Sequence, residues 1–218
     1  MTGNHQQSQG IPVLNQHFPK VVLMLGLLIT GTSLLQFFVP GDIEYEMMSA
    51  AAVLHITDYH QENRLLGAYL PYGLHVFLHG GIFHLVLNMS ALIMFGPPVA
   101  RALGTSLRGN VLFLAFFFVC AIGGGIAQMA VFVWQNEYGA AIGASSALSG
   151  LLPAMGWLEA RWRGALRMAM PWLLINIGLA VGEVLIQLPI AWAAHIGGLA
   201  AGFLFPVFLA ASRILPRR

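Results

Sequence analysis

Residues 74–99 read LHVFLHGGIFHLVLNMSALIMFGPPV, and this stretch decides the fold. It runs well past the ~18 mostly apolar residues that mark a membrane span, a length that a soluble core helix does not need. His75, His79, His84 and Asn88 all fall within its first fifteen residues, and beyond them Ser90 is the one polar side chain. Five more apolar segments of about span length lie around it, near residues 21–39, 110–134, 142–159, 168–188 and 190–215. The composition agrees: 58% of the 218 residues are hydrophobic and 8% are charged, where a soluble domain carries roughly a quarter charged residues. So few charges cannot cover a water-facing surface, so the expectation is an all-α polytopic membrane protein, a bundle of six transmembrane helices in a lipid bilayer.

The basic residues set the orientation. With the N-terminus inside, the inner segments hold Lys20; Arg101 and Arg108; Arg161, Arg163 and Arg167; and Arg213, Arg217 and Arg218. Only Arg64 of the ten Lys and Arg residues falls outside. The reverse orientation would break the positive-inside rule. Both termini are therefore expected to be cytoplasmic. Asp42, Glu44, Glu46, Asp58, Glu62 and Glu137 all fall on the outer side, a weaker signal that agrees. Residues 1–19 are polar and read as a disordered cytoplasmic tail, with the membrane domain over 20–218. The first span is longer than a signal-peptide core and no A-x-A site follows, so it reads as a retained anchor. In the long first outer loop, about 40–73, residues 47–56 (MMSAAAVLHI) are too short to span and suggest an interfacial or re-entrant helix. The single cysteine, Cys120, excludes an internal disulfide and a Cys-based zinc site.

Polar side chains inside spans are costly and point to function. Three clusters qualify. In the first, His84 and Asn88 are four apart and share a helix face. His75, His79 and His84 invite a zinc reading, but their spacing does not put all three on one face and no carboxylate completes a set, so no metal is expected. The bland reading of His75 and His79 is that they satisfy backbone groups at a helix start. The second cluster, Gly143-Ala-Ser145-Ser146-Ala-Leu-Ser149-Gly150, opens the fourth span. Small residues there also suit helix packing. A serine at a helix start, however, sits among free N–H groups and the positive end of the dipole, a setting that suits acyl transfer. The third, Ala194-His195-Ile-Gly-Gly198-Leu-Ala-Ala-Gly202, opens the sixth span. Gly198 and Gly202 make a G-x-x-x-G notch on the stripe that carries His195, so a neighbouring helix can come close.

All three clusters open spans that run inward, so all three lie at a similar depth near the outer surface. Serine needs a base within hydrogen-bond reach, and His195 is the candidate. Asn88, His84 and the Ser145 amide are candidate donors to an oxyanion. Glu183, the only carboxylate well inside a span, reads as packed or snorkelling, which leaves a Ser–His dyad. Hydrolysis further requires a wet cavity at the outer end of the bundle.

The chain resembles the rhomboid family of intramembrane proteases over essentially all six spans. The resemblance rests on His79-Gly-Gly-Ile-Phe-His84-Leu-Val-Leu-Asn88, Gly143-Ala-Ser145-Ser146 and Ala194-His195-Ile-Gly-Gly198-Leu-Ala-Ala-Gly202, in order and in spans two, four and six. It implies Ser145 as nucleophile rather than Ser146 or Ser149, His195 as base, and Asn88, His84 and the Ser145 amide as the oxyanion region. It implies transmembrane proteins as substrates, a small residue before the cut, and neither cofactor nor nucleic-acid partner. The oligomeric state stays open. The six-span form resembles the simple bacterial type in the plasma membrane, with the site facing the periplasm or exterior. Two features depart from the family: Leu70-Pro71 stands where many members have Trp-Arg in the first outer loop, and Val99-Ala100 stands where many have Val-Glu. An inactive relative that binds client transmembrane segments is the alternative. A transporter would favour carboxylates at mid-membrane and polar residues at several depths.

Overall fold

The computed structural model describes residues 18–55, 66–186 and 190–213; the 1–17 tail and Ile56 lie outside that range. Its centre is α5 (Leu107–Gln135). Ser106 caps it by accepting a bond from the Gly109 amide at 3.3 Å, and Asn136 ends it in the left-handed region at φ 54°. Around α5 stand α1 (Lys20–Phe38), α4 (Ile82–Leu103), α6 (Ser145–Ile186), α7 (Trp192–Gly202) and α8 (Phe205–Arg213). Two short elements, α2 (Gly41–Ala51) and the single turn α3 (Pro71–Leu74), complete the helices named here. Among the described residues, five helical stretches are long and apolar enough to cross a bilayer, with α7 and α8 together forming one of them, Trp192–Arg213.

Their outward faces are those of a lipid-solvated protein. In α1 the buried residues Val22, Leu25, Ile29, Ser33 and Gln36 form one stripe, while Leu23, Met24, Leu27, Leu28, Leu34 and Leu35 are exposed. A contiguous apolar surface of this kind has no place in water.

The 39-residue apolar window of α6 would be about 58 Å long if straight, against a hydrocarbon core of ~30 Å. The helix is instead broken at Ala160 and Arg161, where Arg161 takes φ 52° and ψ −136°. The limbs on either side fold back on each other. Trp172 Nε1 donates to Ser149 Oγ at 2.8 Å across 23 residues. The backbones of Gly156 and Gly164 abut so closely that a Cβ on either would strike the other's carbonyl. The fourth and fifth apolar segments of the sequence are these two limbs. The arginine-rich stretch between them forms the bend, with the Arg161 guanidinium 5.3 Å from the Trp157 ring centre.

The long loop after α1 differs from expectation. A helix is present, but it begins at Gly41 and ends at Ala51. Val53–His55 then form a strand, β1, paired antiparallel with β2 (Gly139–Ala141) in the register Val53 to Ala141 and His55 to Gly139. This two-stranded ladder is the one departure from an all-α fold among the described residues. It ends four residues before Ser145 and so braces the entry to α6.

The polar residues of α1 hold the loop ahead of α4. Gln36 receives the His79 amide at 3.0 Å and donates to its carbonyl at 3.1 Å. His79 Nδ1 donates to Ser33 Oγ at 2.8 Å, and the Ser33 hydroxyl gives its hydrogen to the Phe77 carbonyl.

The tightest seam joins α6, α7 and α5. A Cβ on Gly198 would collide with the Ser146 backbone, and one on Gly124 would lie 2.6 Å from the Ala194 carbonyl oxygen. Gly198→Val should therefore destabilise the bundle by at least about 1–3 kcal/mol, the cost of overpacking a filled core. Gly178→Ala, where nothing lies within 4 Å, should be neutral or gain up to ~1 kcal/mol of helix propensity. Thermal unfolding of both variants in detergent checks the pair, and equal melting temperatures would contradict the packing described.

Candidate active site

Residues 139–145 turn sharply before α6 begins. Gly143 has φ 110°, and its amide donates to the His75 carbonyl at 2.9 Å. The turn also needs a missing side chain, because a Cβ on Gly143 would lie 2.6 Å from His84 Cε1. Ser145 is the first residue of α6 and is half-buried. The amides of a helix's first turn have no acceptor within the helix and carry its positive dipole end.

His195 lies in the first turn of α7 and is buried. Its Nε2 is 2.8 Å from Ser145 Oγ. Its Nδ1 is 2.7 Å from Oδ1 of Asn176, on the second limb of α6. The Trp172 ring lies beside the imidazole, with centroids 5.4 Å apart. Ser149, which reads from the sequence as a packing residue, does more than fill space: it takes the Trp172 indole hydrogen and donates to the Ser145 carbonyl at 2.7 Å.

Ser146 also meets a histidine, with its Oγ 2.9 Å from His75 Nε2. That pair is sealed. Ser146 and His75 are both buried, and His75 Nδ1 is spent on the Pro71 carbonyl at 3.2 Å. The two serine–histidine pairs differ in access. Ser145 and His195 line a cavity of about 890 Å³ between α4 and the second limb of α6, whereas Ser146 and His75 do not.

His84 and Asn88 line the same cavity. The Gly80 amide donates to His84 Nδ1 at 3.3 Å, so a neutral His84 carries its hydrogen on Nε2, the atom turned toward Gly143. Asn88 is buried and gives one amide hydrogen to the His84 carbonyl at 2.9 Å, while its Oδ1 has no protein partner. Its second amide hydrogen is thus available to a group in the cavity. The chemistry at hand is a hydroxyl beside a neutral base, with uncharged donors on the facing helix. Gly198 and Gly202 sit where α7 meets the start of α6, against Ser146 and Gly150. His79 and His84 pack edge to face at 5.0 Å, and among the described residues no three His, Cys, Asp or Glu side chains converge as metal ligands do. Glu183 accepts a bond from the Trp192 indole and does not line the cavity that Ser145 borders.

Asn176 is the residue that sequence reasoning passes over. Its signal is present: one amide in the apolar run Trp172-Leu-Leu-Ile-Asn176-Ile, as costly in a span as Asn88. It lacks the neighbouring histidines and serines that make the other clusters stand out.

The family model described as Rhomboid domain matches residues 67–212. The chain is 30% identical over 171 residues to RHOMBOID-like protein 1 of Arabidopsis thaliana, covering 76% of this chain and 39% of that protein. It is 35% identical over 136 residues to RHOMBOID-like protein 6, mitochondrial, from the same plant, covering 59% and 39%. It is 30% identical over 176 residues to RHOMBOID-like protein 7, covering 78% and 50%. The chain thus spans about two fifths to one half of the length of these curated relatives. With a match across the helices that carry Asn88, Ser145 and His195, the chain belongs to the rhomboid family.

Proposed function

We propose that this chain is an intramembrane serine endopeptidase that cuts substrate transmembrane helices near their outer ends. The observation that carries the reading is the 2.8 Å contact between Ser145 Oγ and His195 Nε2, at the wall of a cavity reached from between α4 and α6. In the reaction, Ser145 Oγ attacks the scissile carbonyl carbon and passes its proton to His195 Nε2. The oxyanion forms beside the Ser145 amide, Asn88 Nδ2 and His84 Nε2. As the tetrahedral adduct collapses, the C–N bond breaks and His195 returns the proton to the leaving amine. Water then attacks the acyl-enzyme, giving a proton to His195; the ester C–O bond breaks and His195 returns that proton to Ser145 Oγ. The bundle is read as six spans with both termini cytoplasmic, the arginines inside and the site facing the outer surface.

Labelling with a fluorophosphonate probe tests the nucleophile. Wild type and Ser146→Ala should label, and Ser145→Ala and His195→Ala should not. The last two should also lose all cleavage of a reporter transmembrane substrate while still inserting. Wild-type cleavage by Ser145→Ala would end the proposal.

Asn88→Ala should act on turnover. Losing one oxyanion donor costs roughly 2.7–4 kcal/mol, about 100- to 1000-fold in kcat, with KM little changed. An unchanged kcat with a raised KM would assign Asn88 to substrate binding instead.

The substrate's scissile carbonyl must leave its own helical hydrogen bond to reach Ser145. Gly or Pro just inward of the cut lowers that cost, by ~1 and ~3 kcal/mol relative to Ala, and should raise the cleavage rate. A bulky residue immediately before the cut should lower it. Client spans that differ only at these positions, with cut sites mapped by mass spectrometry, provide the measurement. Cuts at the inner end, or rates indifferent to helix propensity, would contradict both the topology and the need for unwinding.

A further inference from the structure

We infer that Asn176 is a positioning residue for the reaction, fixing the His195 ring in the one tautomer that can act as a base. The inference rests on the Ser145–His195 reading and adds a third member from the second limb of α6. The argument starts at a carbonyl. Asn176 Nδ2 donates to the Trp172 carbonyl at 2.8 Å. Turned over, the amide would set two oxygens against each other at that distance, so its orientation is fixed. Oδ1 must then face His195, 2.7 Å from Nδ1. An amide oxygen only accepts, so His195 Nδ1 must carry a hydrogen. Neutral His195 has just one ring hydrogen, so its Nε2 is a lone pair. Ser145 Oγ, 2.8 Å away, must therefore be the donor. Each step leaves one choice, and the last is the protonation state that a general base needs.

The same bond acts again later in the reaction. When His195 takes the Ser145 proton it becomes a cation in a buried site, and the Nδ1–H bond to Oδ1 becomes charge-assisted. Asn176 gives this support without a carboxylate, whose own burial in a span would be costly. Asn176 is completely buried, and Trp172, whose carbonyl orients it, also lies beside the imidazole and ties back to Ser145 through Ser149. The ring is thus held at both its nitrogens and along one side.

The test uses the full chain in proteoliposomes and two readouts. The first is the ring ¹⁵N spectrum of His195, with its signals identified by their loss in His195→Ala. Wild type should show the Nδ1–H tautomer, and Asn176→Ala should show a mixture or the Nε2–H form. The second is cleavage. Asn176→Ala should lower kcat at least about tenfold with KM unchanged, short of the ~10⁴-fold loss that follows when an orienting carboxylate is replaced by its amide and the histidine takes the wrong tautomer. Asn176→Asp keeps an acceptor toward Nδ1 and should recover turnover well above Asn176→Ala. A space-filling role alone would not distinguish Ala from Asp by tautomer. The inference is overturned by a wild-type His195 in the Nε2–H form, by an Asn176→Ala protein with unchanged tautomer and kcat, or by Asn176→Asp no better than Asn176→Ala. Ser145→Ala run alongside separates the two claims. If it still cleaves, the protease reading fails. If it is inert while Asn176→Ala behaves as wild type, only the role given to Asn176 fails.

Discussion

The arrangement depends on one close approach, that of Gly198 on α7 to the backbone of Ser146 on α6. A lipid bilayer offers no hydrophobic drive for one helix to seek another, so association relies on van der Waals fit and on polar groups that meet. A side chain at Gly198 would push the helices apart, and His195, one turn before it, would lose contact with Ser145. Gly124 on α5 serves the third side of the same junction by admitting Ser146 and the Ala194 carbonyl. Three helices can therefore converge on a point where a hydroxyl, an imidazole and an amide lie within hydrogen-bond distance.

Around that junction the polar groups satisfy one another to an extent that is expected where water is scarce. Ser33 and Gln36 serve the loop at His79, His75 serves the turn at Gly143 and Ser146, and Asn176 serves His195. The exceptions are instructive. Among the described residues His79 Nε2, Asn88 Oδ1 and Trp157 Nε1 are buried without a protein partner, and of these Asn88 borders the cavity. Asn88 thus keeps an unpaired amide oxygen at the cavity wall.

Much of this architecture is legible in the sequence. The spans are legible because hydrophobicity over ~18 or more residues is a property of composition and needs no tertiary information. The clusters at His84, Ser145 and His195 are legible because polar atoms at membrane depth are rare, and the structure brings these three residues to one cavity. The β1–β2 ladder is not legible, since three-residue strands have no period to detect and their partner lies far along the chain. The bend of α6 is visible only as a charged interval; the left-handed Arg161 that makes it has no local signature. Asn176 escapes for a related reason: its meaning lies in the Trp172 carbonyl and the His195 ring, neither of which its neighbours in sequence announce.

The bend of α6 also bears on how the protein is made. Ser145 enters the bilayer on the first limb, and the groups that complete the site arrive later: Asn176, which bonds His195, on the second limb, and His195, which bonds Ser145, on α7, fifty residues along the chain. A nascent chain at that stage holds the hydroxyl but no imidazole to accept its hydrogen. The site is assembled only after α7 has threaded in and docked against α5 and α6. The order of synthesis thus keeps the hydroxyl and the imidazole apart until the bundle has closed.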